Sequence, residues 1–253
     1  MKSKNNNYIK LLYELVEKLI KNQDEVFLRI VEAVESQNNL LLTYFNQNSF
    51  IVAKSSNAFR RLLTEKFHLF SDGIGIYILQ KIMNKKCELF NATDLYDSVF
   101  NWLIKSNRKI VIIGGDFSEA AVTKYCAHKK VNLYKYFNGY KDLENFYQIK
   151  KTINSLDYAI VIIGIGTPKQ EILAEQISIE TEKSCVLCTG KYFEYFTGSI
   201  RRSPKIFRKF GLEWFFRLIS NPQKYFGRYV VGIPKFLFYL TIMKVYLGRE
   251  KSP

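Results

Sequence analysis

Hydrophobic positions along this chain fall into short continuous runs, separated by longer stretches with an apolar face at helical spacing. Six of the short runs have the length and apolar content of strands that are buried on both faces. These runs occupy residues 40–45, 68–71, 109–113, 131–137, 159–163 and 185–189. Strands that alternate with helices in this way favour an α/β domain, built on a mostly parallel sheet with helices on both faces.

The first 36 residues differ, because they show helical spacing without a strand run. Leu12, Leu15 and Ile20 lie on one face of a predicted helix or helix pair over residues 8–35, expected to pack on the main domain or on a second copy of the chain. Further helices are predicted at residues 56–66, 74–83 and 143–154. The predicted organisation is a helical extension (residues 1–36), an α/β domain (37–200) and a C-terminal helical appendage (201–253).

The stretch at residues 158–171 has the strongest functional pattern. Its strand ends at Gly164 and Gly166, and Pro168 then suits the first position of a helix, where its missing N–H costs nothing. A helix that starts directly after glycines exposes free N–H groups to an anion. Its first turn carries Lys169, Gln170 and Glu171. A tight turn of any α/β protein would explain the glycines, whereas the clustered polar side chains favour a binding site.

Polar side chains also lie at the ends of two other predicted strands. Thr43 belongs to the run at residues 40–45, and Asn46 follows it, where the amide could bind a ligand or close a turn. Asp72 and Gly73 follow the next run. The Asp72 carboxylate could act as a general base or cap the following helix, and the local pattern favours neither.

Two more loops follow predicted strands. Gly114-Gly115 lacks a full GxGxxG pattern, so it is a weak dinucleotide signal, and Gly190 comes after the last apolar run. Because the carboxyl ends of parallel strands meet at one edge of a sheet, the loops near residues 46, 72, 114, 164 and 190 are expected to line one ligand crevice.

Cysteine and histidine usage argues against a metal or disulfide framework. The chain has four cysteines and two histidines. Cys185 and Cys188 lie in an apolar run, which favours buried core thiols over a redox or metal pair. The N-terminal sequence leads into an amphipathic pattern and not into an apolar signal core. We therefore expect a cytoplasmic protein without a metal site.

Charge is concentrated in the appendage. The chain has a net charge of +15, and the residues from Arg201 onward hold twelve basic side chains against two acidic ones, interleaved with aromatic rings. This pattern suits an anionic membrane surface or a nucleic acid. No helix–turn–helix, zinc-finger or RNA-binding motif supports nucleic acid. Because the apolar run at residues 236–243 is far shorter than the roughly 20 residues of a membrane span, the appendage is expected to lie on a bilayer and not to cross it.

Several motifs occur in the order found in the WecG/TagA/CpsF glycosyltransferases, and the chain resembles that family over residues 40–229. They are DGIG at residues 72–75, the Gly114-Gly115 turn, GIGTPKQE at 164–171 and GLEWFFRL at 211–218, with Asn221-Pro222 and Arg228-Tyr229 similar to the family's end pattern.

The resemblance implies a Rossmann-like fold and an inverting hexosyltransferase. Such an enzyme moves a sugar, of N-acetylmannosamine type or a related hexose derivative, from a UDP-sugar to a polyprenyl-diphosphate-linked sugar. It implies a role in cell-surface polysaccharide or teichoic acid synthesis. It also implies an enzyme bound peripherally to the inner face of the cell membrane. The UDP-sugar is a substrate and no cofactor is implied. The lack of an Asp-x-Asp motif agrees with a metal-independent reaction.

The resemblance also implies roles for individual residues. Asp72 corresponds to the family's catalytic base, and the residues from Gly164 to Glu171 to the nucleotide-sugar site. In the appendage, Arg217 and Arg228 would neutralise the leaving diphosphate, because the guanidinium fork matches phosphate oxygens. The implied substrate-binding set is Thr43, Asn46, Gly73, Gly114, Gly115, Gly164, Gly166, Pro168, Lys169, Gln170, Glu171, Glu213, Arg217 and Arg228.

Three departures from the family pattern bear on donor and acceptor identity. Glu194 stands where the family usually has Asp, Ser203 replaces a common Ala, and Leu89 occupies a position that is often basic. Two competing classes remain, a nucleotide-binding protein without transferase activity and a nucleic-acid-binding protein. The presence of Asp72 and Arg217 argues against the first. The lack of a nucleic-acid-binding motif argues against the second, and the basic charge of the appendage fits anionic lipid as well.

Overall fold

A computed structural model describes residues 2–89, 91–181 and 183–250 of the chain. In this part, one all-parallel sheet forms the centre of the molecule. Its strands are β1 (Leu19–Ile20), β2 (Leu40–Phe45), β3 (His68–Ser71), β4 (Ile110–Gly114), β5 (Leu133–Phe137), β6 (Ala159–Gly164) and β7 (Ser184–Cys188). They follow the order β1-β3-β2-β7-β6-β4-β5 across the sheet. The α/β prediction is confirmed, and β2 to β7 are the six predicted strands.

Helices cover both faces of the sheet. They are α1 (Lys2–Glu17), α2 (Gln23–Glu35), α3 (Gln47–Ser55), α4 (Asn57–Arg61), α5 (Ile74–Ile82), α6 (Ala92–Lys105), α7 (Glu119–His128), α8 (Phe146–Asn154), α9 (Lys169–Glu180) and α10 (Tyr192–Phe196). One apolar core lies beneath α1, α3, α4, α5, α8 and α9, and the other lies beneath α2, α6, α7 and α10. Cys185 and Cys188 are free thiols within these cores, as predicted.

Two helical predictions were wrong in detail. The segment predicted as helical over residues 8–35 is interrupted by β1, because Leu19 and Ile20 pair with Leu69 and Phe70 and so extend the sheet at its edge. The predicted helix at residues 56–66 is α4 followed by a π-helical turn at Leu62–Lys66. The helix α3 was not predicted, since the amides before it were expected either to bind a ligand or to close a turn.

The appendage contains three short helices and one long one. They are α11 (Lys205–Lys209), α12 (Glu213–Ser220), α13 (Pro222–Phe226) and, after a π-helical segment at Gly227–Val231, α14 (Gly232–Glu250). The short helices have no buried residue. In contrast, α14 buries Phe236, Tyr239, Leu240 and Met243 in the core beneath α3 and α5. The appendage is therefore anchored mainly through α14.

One helical stretch in the described residues, Pro222–Gly248, is long and apolar enough to cross a membrane by length and composition alone. The prediction that length excludes a crossing was therefore wrong. It counted only the continuous apolar run and missed that α13, the π-helical segment and α14 join without a break. The buried side chains of α14 nevertheless pack on the α/β domain in this structure.

The sheet opens a crevice at its carboxyl edge. From the end of β2, α3 leads to one face of the sheet, whereas α10 leads from the neighbouring β7 to the opposite face. Diverging connections of this kind create the usual ligand crevice of an open α/β sheet. The loops near residues 46, 72, 114, 164 and 190 all follow strands at this edge, as predicted.

Candidate active site

Asp72 lies directly beyond the end of β3, with both carboxylate oxygens held in place. Oδ2 accepts a hydrogen bond from Asn46 Nδ2 at 3.1 Å, and Oδ1 accepts one from the backbone N–H of Ala92 at 3.1 Å. The carboxylate does not cap α5, whose N-cap is Gly73. The amide oxygen of Asn46 caps α3 by accepting from the N–H of Ser49 at 3.1 Å. One amide thus fixes both a helix start and the orientation of the carboxylate.

Two cavities meet at Asp72. The first, of about 430 Å³, lies between the α/β domain and the appendage, and we call it the appendage lobe; Ile74, Leu89, Lys205, Arg208 and Trp214 are among its walls. The second, of about 160 Å³, lies over the ends of β2 and β7, and we call it the strand-end lobe; it is lined by Tyr44, Gly166, Thr167, Gly190, Lys191 and Tyr195, among others. Both lobes are lined by Asn46, Asp72, Arg217 and Arg228.

The floor of the strand-end lobe depends on close backbone contacts. Gly190 has φ +61°, and a Cβ there would lie 2.6 Å from the Tyr44 hydroxyl oxygen. A Cβ on Gly164 would lie 2.6 Å from the Gly190 carbonyl oxygen. Burial, with a smaller effect of the nearby Glu171 carboxylate, raises the pKa of Tyr44 to about 12, so its hydroxyl keeps its proton at neutral pH. Small residues here let the strand ends approach one another.

Gln170 and Glu171 lie beneath this floor, both with 0% exposure. Glu171 Oε1 accepts hydrogen bonds from Thr43 Oγ1 at 2.8 Å, Thr167 Oγ1 at 3.1 Å and Gln170 Nε2 at 2.8 Å. Gln170 Oε1 accepts from the N–H of Gly190 at 3.1 Å. The pair therefore connects the ends of β2, β6 and β7. Burial raises the pKa of Glu171, and its second oxygen, Oε2, has no hydrogen-bond partner.

Of the remaining predicted residues of the α/β domain, Gly73 lines the appendage lobe, whereas Gly114, Gly115, Pro168 and Lys169 line neither lobe. A Cβ on Gly114 would lie 2.8 Å from the Gly164 carbonyl oxygen, and one on Gly115 would meet the Phe117 ring, so these glycines serve close packing beside the crevice. Pro168 follows a cis peptide bond and is the N-cap of α9, one position earlier than predicted. Lys169 is exposed on the first turn of α9.

The predicted appendage residues reach the site together. Arg217 donates to Glu213 Oε1 at 2.5 Å, and Glu213 Oε2 accepts from Asn91 Nδ2. Asn91 is also the N-cap of α6, accepting from the N–H of Thr93 at 3.1 Å. Glu213 therefore links the appendage to the helix start beside Asp72, while Arg217 faces both lobes.

Arg228 differs from Arg217 because it forms no ion pair among the described residues. Its guanidinium lies 5.5 Å from the centre of the Tyr229 ring, and among the described residues no carboxylate lies within ion-pair distance of it. The Nε atoms of both arginines are buried without hydrogen-bond partners. Two guanidinium groups with unused donors thus face the junction of the lobes, an arrangement suited to an anion.

Sequence reasoning missed several residues that the fold brings to the site. Tyr44, Lys191 and Tyr195 line the strand-end lobe, and Asn91 and Arg208 line the appendage lobe. Asn91 carried a weak signal as a helix-capping residue before an apolar stretch. Arg208 was counted with the basic residues, but its ion pair with Asp94 on α6 depends on tertiary structure.

The model of the WecG/TagA/CpsF glycosyl transferase family matches residues 14–250 of this chain. The chain belongs to this family. The match is wider than the resemblance over residues 40–229, because it also takes in the last four residues of α1, all of β1 and α2, and all of α14. Membership establishes a glycosyltransferase of cell-surface polysaccharide synthesis, which acts on a sugar donor and an acceptor.

Proposed function

We propose that this glycosyltransferase moves a hexose of N-acetylmannosamine type, or a related derivative, from UDP to the sugar of a polyprenyl-diphosphate-linked acceptor. The observation that carries the proposal is the position of Asp72 at the junction of two lobes. A donor in the strand-end lobe and an acceptor in the appendage lobe would meet beside one oriented carboxylate. The cell-surface polysaccharide or teichoic acid it helps to build is part of the same proposal.

The proposed reaction is a single displacement. Asp72 accepts the proton of the acceptor hydroxyl while its oxygen bonds to the anomeric carbon. The bond from that carbon to the UDP oxygen breaks on the opposite face, so the configuration inverts and UDP leaves with the electron pair. Asn46 and the Ala92 N–H hold the carboxylate in position before the substrate arrives.

Charge develops on the departing diphosphate, and Arg217 and Arg228 are placed to stabilise it. Both line the two lobes, and both keep a buried Nε without a partner. Guanidinium groups in a site shielded from water stabilise phosphate charge strongly. We propose that these arginines take the role that a divalent metal has in other nucleotide-sugar transferases, and that no cofactor is required.

The appendage is proposed to hold the enzyme on the inner face of the cytoplasmic membrane. Large apolar side chains are exposed along it, and basic residues accompany them. The exposed set comprises Ile206, Phe210, Leu212, Phe215, Ile219, Phe226, Val230, Val231, Leu237, Phe238 and Val245. Apolar contact together with attraction to anionic lipid explains this composition. Salt-sensitive binding to anionic vesicles and not to DNA is expected, whereas preferential binding to DNA would contradict the membrane proposal.

The experiment that tests the function measures UDP release from a panel of UDP-sugars in EDTA. Each donor is assayed with and without a short polyprenyl-diphosphate-linked amino-sugar acceptor, on vesicles of anionic lipid. We expect acceptor-dependent release with one UDP-hexosamine and an inverted anomeric configuration in the product. No release with any donor would overturn the proposal and favour a nucleotide-binding protein without transferase activity.

A further inference from the structure

Basic and apolar side chains occupy different faces of α11, the short helix in one wall of the appendage lobe. Lys205, Arg208 and Lys209 share one face, because the second and third lie three and four positions after the first. All three line the appendage lobe, as Asp72 does. Ile206 lies on a neighbouring face and is 63% exposed. The helix therefore presents basic groups to the cavity that holds the proposed base, and an apolar group to solvent.

Two of these basic groups have no counter-charge in the protein. Among the described residues, no carboxylate lies within ion-pair distance of Lys205 or Lys209. Arg208, in contrast, pairs with Asp94, whose Oδ1 also accepts from Arg202 at 2.6 Å. The Nε atom of Arg208 is buried without a hydrogen-bond partner. This face of α11 thus carries two uncompensated ammonium groups and a guanidinium that is not fully hydrogen-bonded.

The basic face of α11 belongs to the acceptor side of the proposed site. Lys205, Arg208 and Lys209 line the appendage lobe alone, whereas Arg217 and Arg228 line both lobes. In the proposed reaction, the arginines shared by both lobes stabilise the diphosphate of the donor. The acceptor carries a second diphosphate, between its sugar and its polyprenyl chain. A second anion is therefore expected in the appendage lobe, where α11 supplies the positive excess.

We propose that Lys205, Arg208 and Lys209 bind the diphosphate of the lipid-linked acceptor. The inference rests on the proposed function, because it takes the acceptor to lie in the appendage lobe. Lysines bind phosphate as compact point charges, and a guanidinium adds hydrogen bonds of fixed direction. The two lysines alone match the charge of a diphosphate that is esterified at both ends, so Arg208 can keep its ion pair with Asp94.

The apolar face of α11 suits the lipid part of the same acceptor. Ile206 and Phe210 directly follow the two lysines in sequence and are 63% and 61% exposed. Leu212, just beyond the helix, is 41% exposed. A polyprenyl chain attached to a diphosphate on the basic face would cover these side chains, and burial of apolar surface is favourable. The helix would then recognise the junction of diphosphate and lipid, and not the acceptor sugar.

The test compares two acceptors that carry the same amino sugar, one on a short-chain prenyl diphosphate and one on a neutral glycoside of equal chain length. Both are titrated calorimetrically into the full chain, without vesicles and with UDP present to occupy the donor side. Wild type should bind the diphosphate acceptor about tenfold more tightly, because charge-assisted contacts are added. Lys205→Met/Lys209→Met should lose most of this difference, whereas Lys205→Arg/Lys209→Arg should keep it.

Lys235→Met/Lys244→Met is the matched control, since both lysines are exposed on α14 and neither lines a lobe. It removes the same charge from the appendage and should bind both acceptors as wild type does. In Lys205→Met/Lys209→Met, the affinity for UDP alone should stay as in wild type, because neither lysine lines the strand-end lobe.

Equal binding of the diphosphate acceptor by wild type and Lys205→Met/Lys209→Met, with melting temperatures matched, would overturn the inference. An equal loss of affinity for the neutral glycoside would also overturn it, because the lysines would then support the wall or the sugar. Weaker UDP binding by this variant would assign the lysines to the donor instead. Absence of sugar transfer by a wild type that binds the diphosphate acceptor would refute the proposed reaction and leave the diphosphate site standing.

Discussion

The two lobes of the site have walls of different construction. In the strand-end lobe, Gln170 and Glu171 connect three strand ends by hydrogen bonds that are fully buried. In the appendage lobe, one wall consists of α11 and α12, which have no buried residue. That wall is held to α6 by ion pairs of Asp94 with Arg202 and Arg208, and the Asp94 side chain is 42% exposed.

This difference predicts different mechanical behaviour. Buried hydrogen bonds are not screened by salt and are expensive to break, so the floor of the strand-end lobe is fixed before a substrate arrives. Partly exposed ion pairs contribute little to stability and weaken with salt, so the wall of the appendage lobe opens at a lower free energy. Under the proposed function, a wall that opens would admit the lipid-linked acceptor.

The largest effect is expected where the two lobes meet. Asp72→Asn should lower kcat by about 10³, because the amide cannot accept the proton of the attacking hydroxyl. UDP affinity should stay within about twofold of wild type, since the substitution preserves shape and the hydrogen bond from Ala92. Acceptor-dependent UDP release and calorimetry measure the two quantities. Full activity in this variant would remove Asp72 as the base.

A somewhat smaller effect is expected at the arginines shared by both lobes. Arg228→Met should lower kcat by about 10², because one donor to the developing diphosphate charge is lost. Its melting temperature should remain near that of wild type, since among the described residues no carboxylate pairs with it. Arg217→Ala should also impair folding, because it leaves Glu213 partly buried and unpaired. Arg201→Met, on an exposed basic residue, is the control, and unchanged kinetics for Arg228→Met would contradict its role.

Replacing Glu171 removes the buried hydrogen bonds beneath the strand-end lobe. Glu171→Leu leaves three donors without their acceptor and should lower the free energy of unfolding by about 3 kcal/mol, whereas Glu171→Gln keeps an acceptor and should cost less. The raised pKa of Glu171 stabilises the fold below the pKa of the unfolded chain, near 4.3, and this contribution is lost as pH rises through the folded pKa. Urea unfolding at several pH values measures this trend, which should be absent in Glu171→Gln. A wild-type trend shared by Glu171→Gln would contradict the assignment.

The smallest effect is expected at the ion pairs that hold the wall of the appendage lobe. Asp94→Asn removes the contacts with Arg202 and Arg208 and should weaken docking of this wall by about 1 kcal/mol. The expected result is a several-fold higher KM for the acceptor, with UDP affinity unchanged. Wild-type acceptor KM should rise with salt, and Asp94→Asn should show a weaker dependence. Equal salt dependence in the two proteins would show that these ion pairs do not control the wall.

Much of the α/β domain could be predicted because its signals are local. Apolar runs marked β2 to β7, and glycines marked the places where strands end, as at Gly164. The strand β1 was not predicted because two residues are too few to show the hydrophobic periodicity of a strand. Their pairing with β3 depends on a segment that is distant in the sequence. The candidate membrane span was missed because Lys235 and Lys244 bound the apolar run at residues 236–243 without ending the helix.

Sequence alone thus determined the fold class, the family motifs and the edge of the sheet at which the ligand loops converge, since each depends on residues close together in the chain. Only tertiary structure decided that Asn46 orients Asp72, that Glu171 is buried beneath the strand-end lobe and that Lys191 lines this lobe. These contacts join residues that lie far apart in the chain. Their geometry follows from how the sheet, the helices and the appendage pack, which no local pattern specifies.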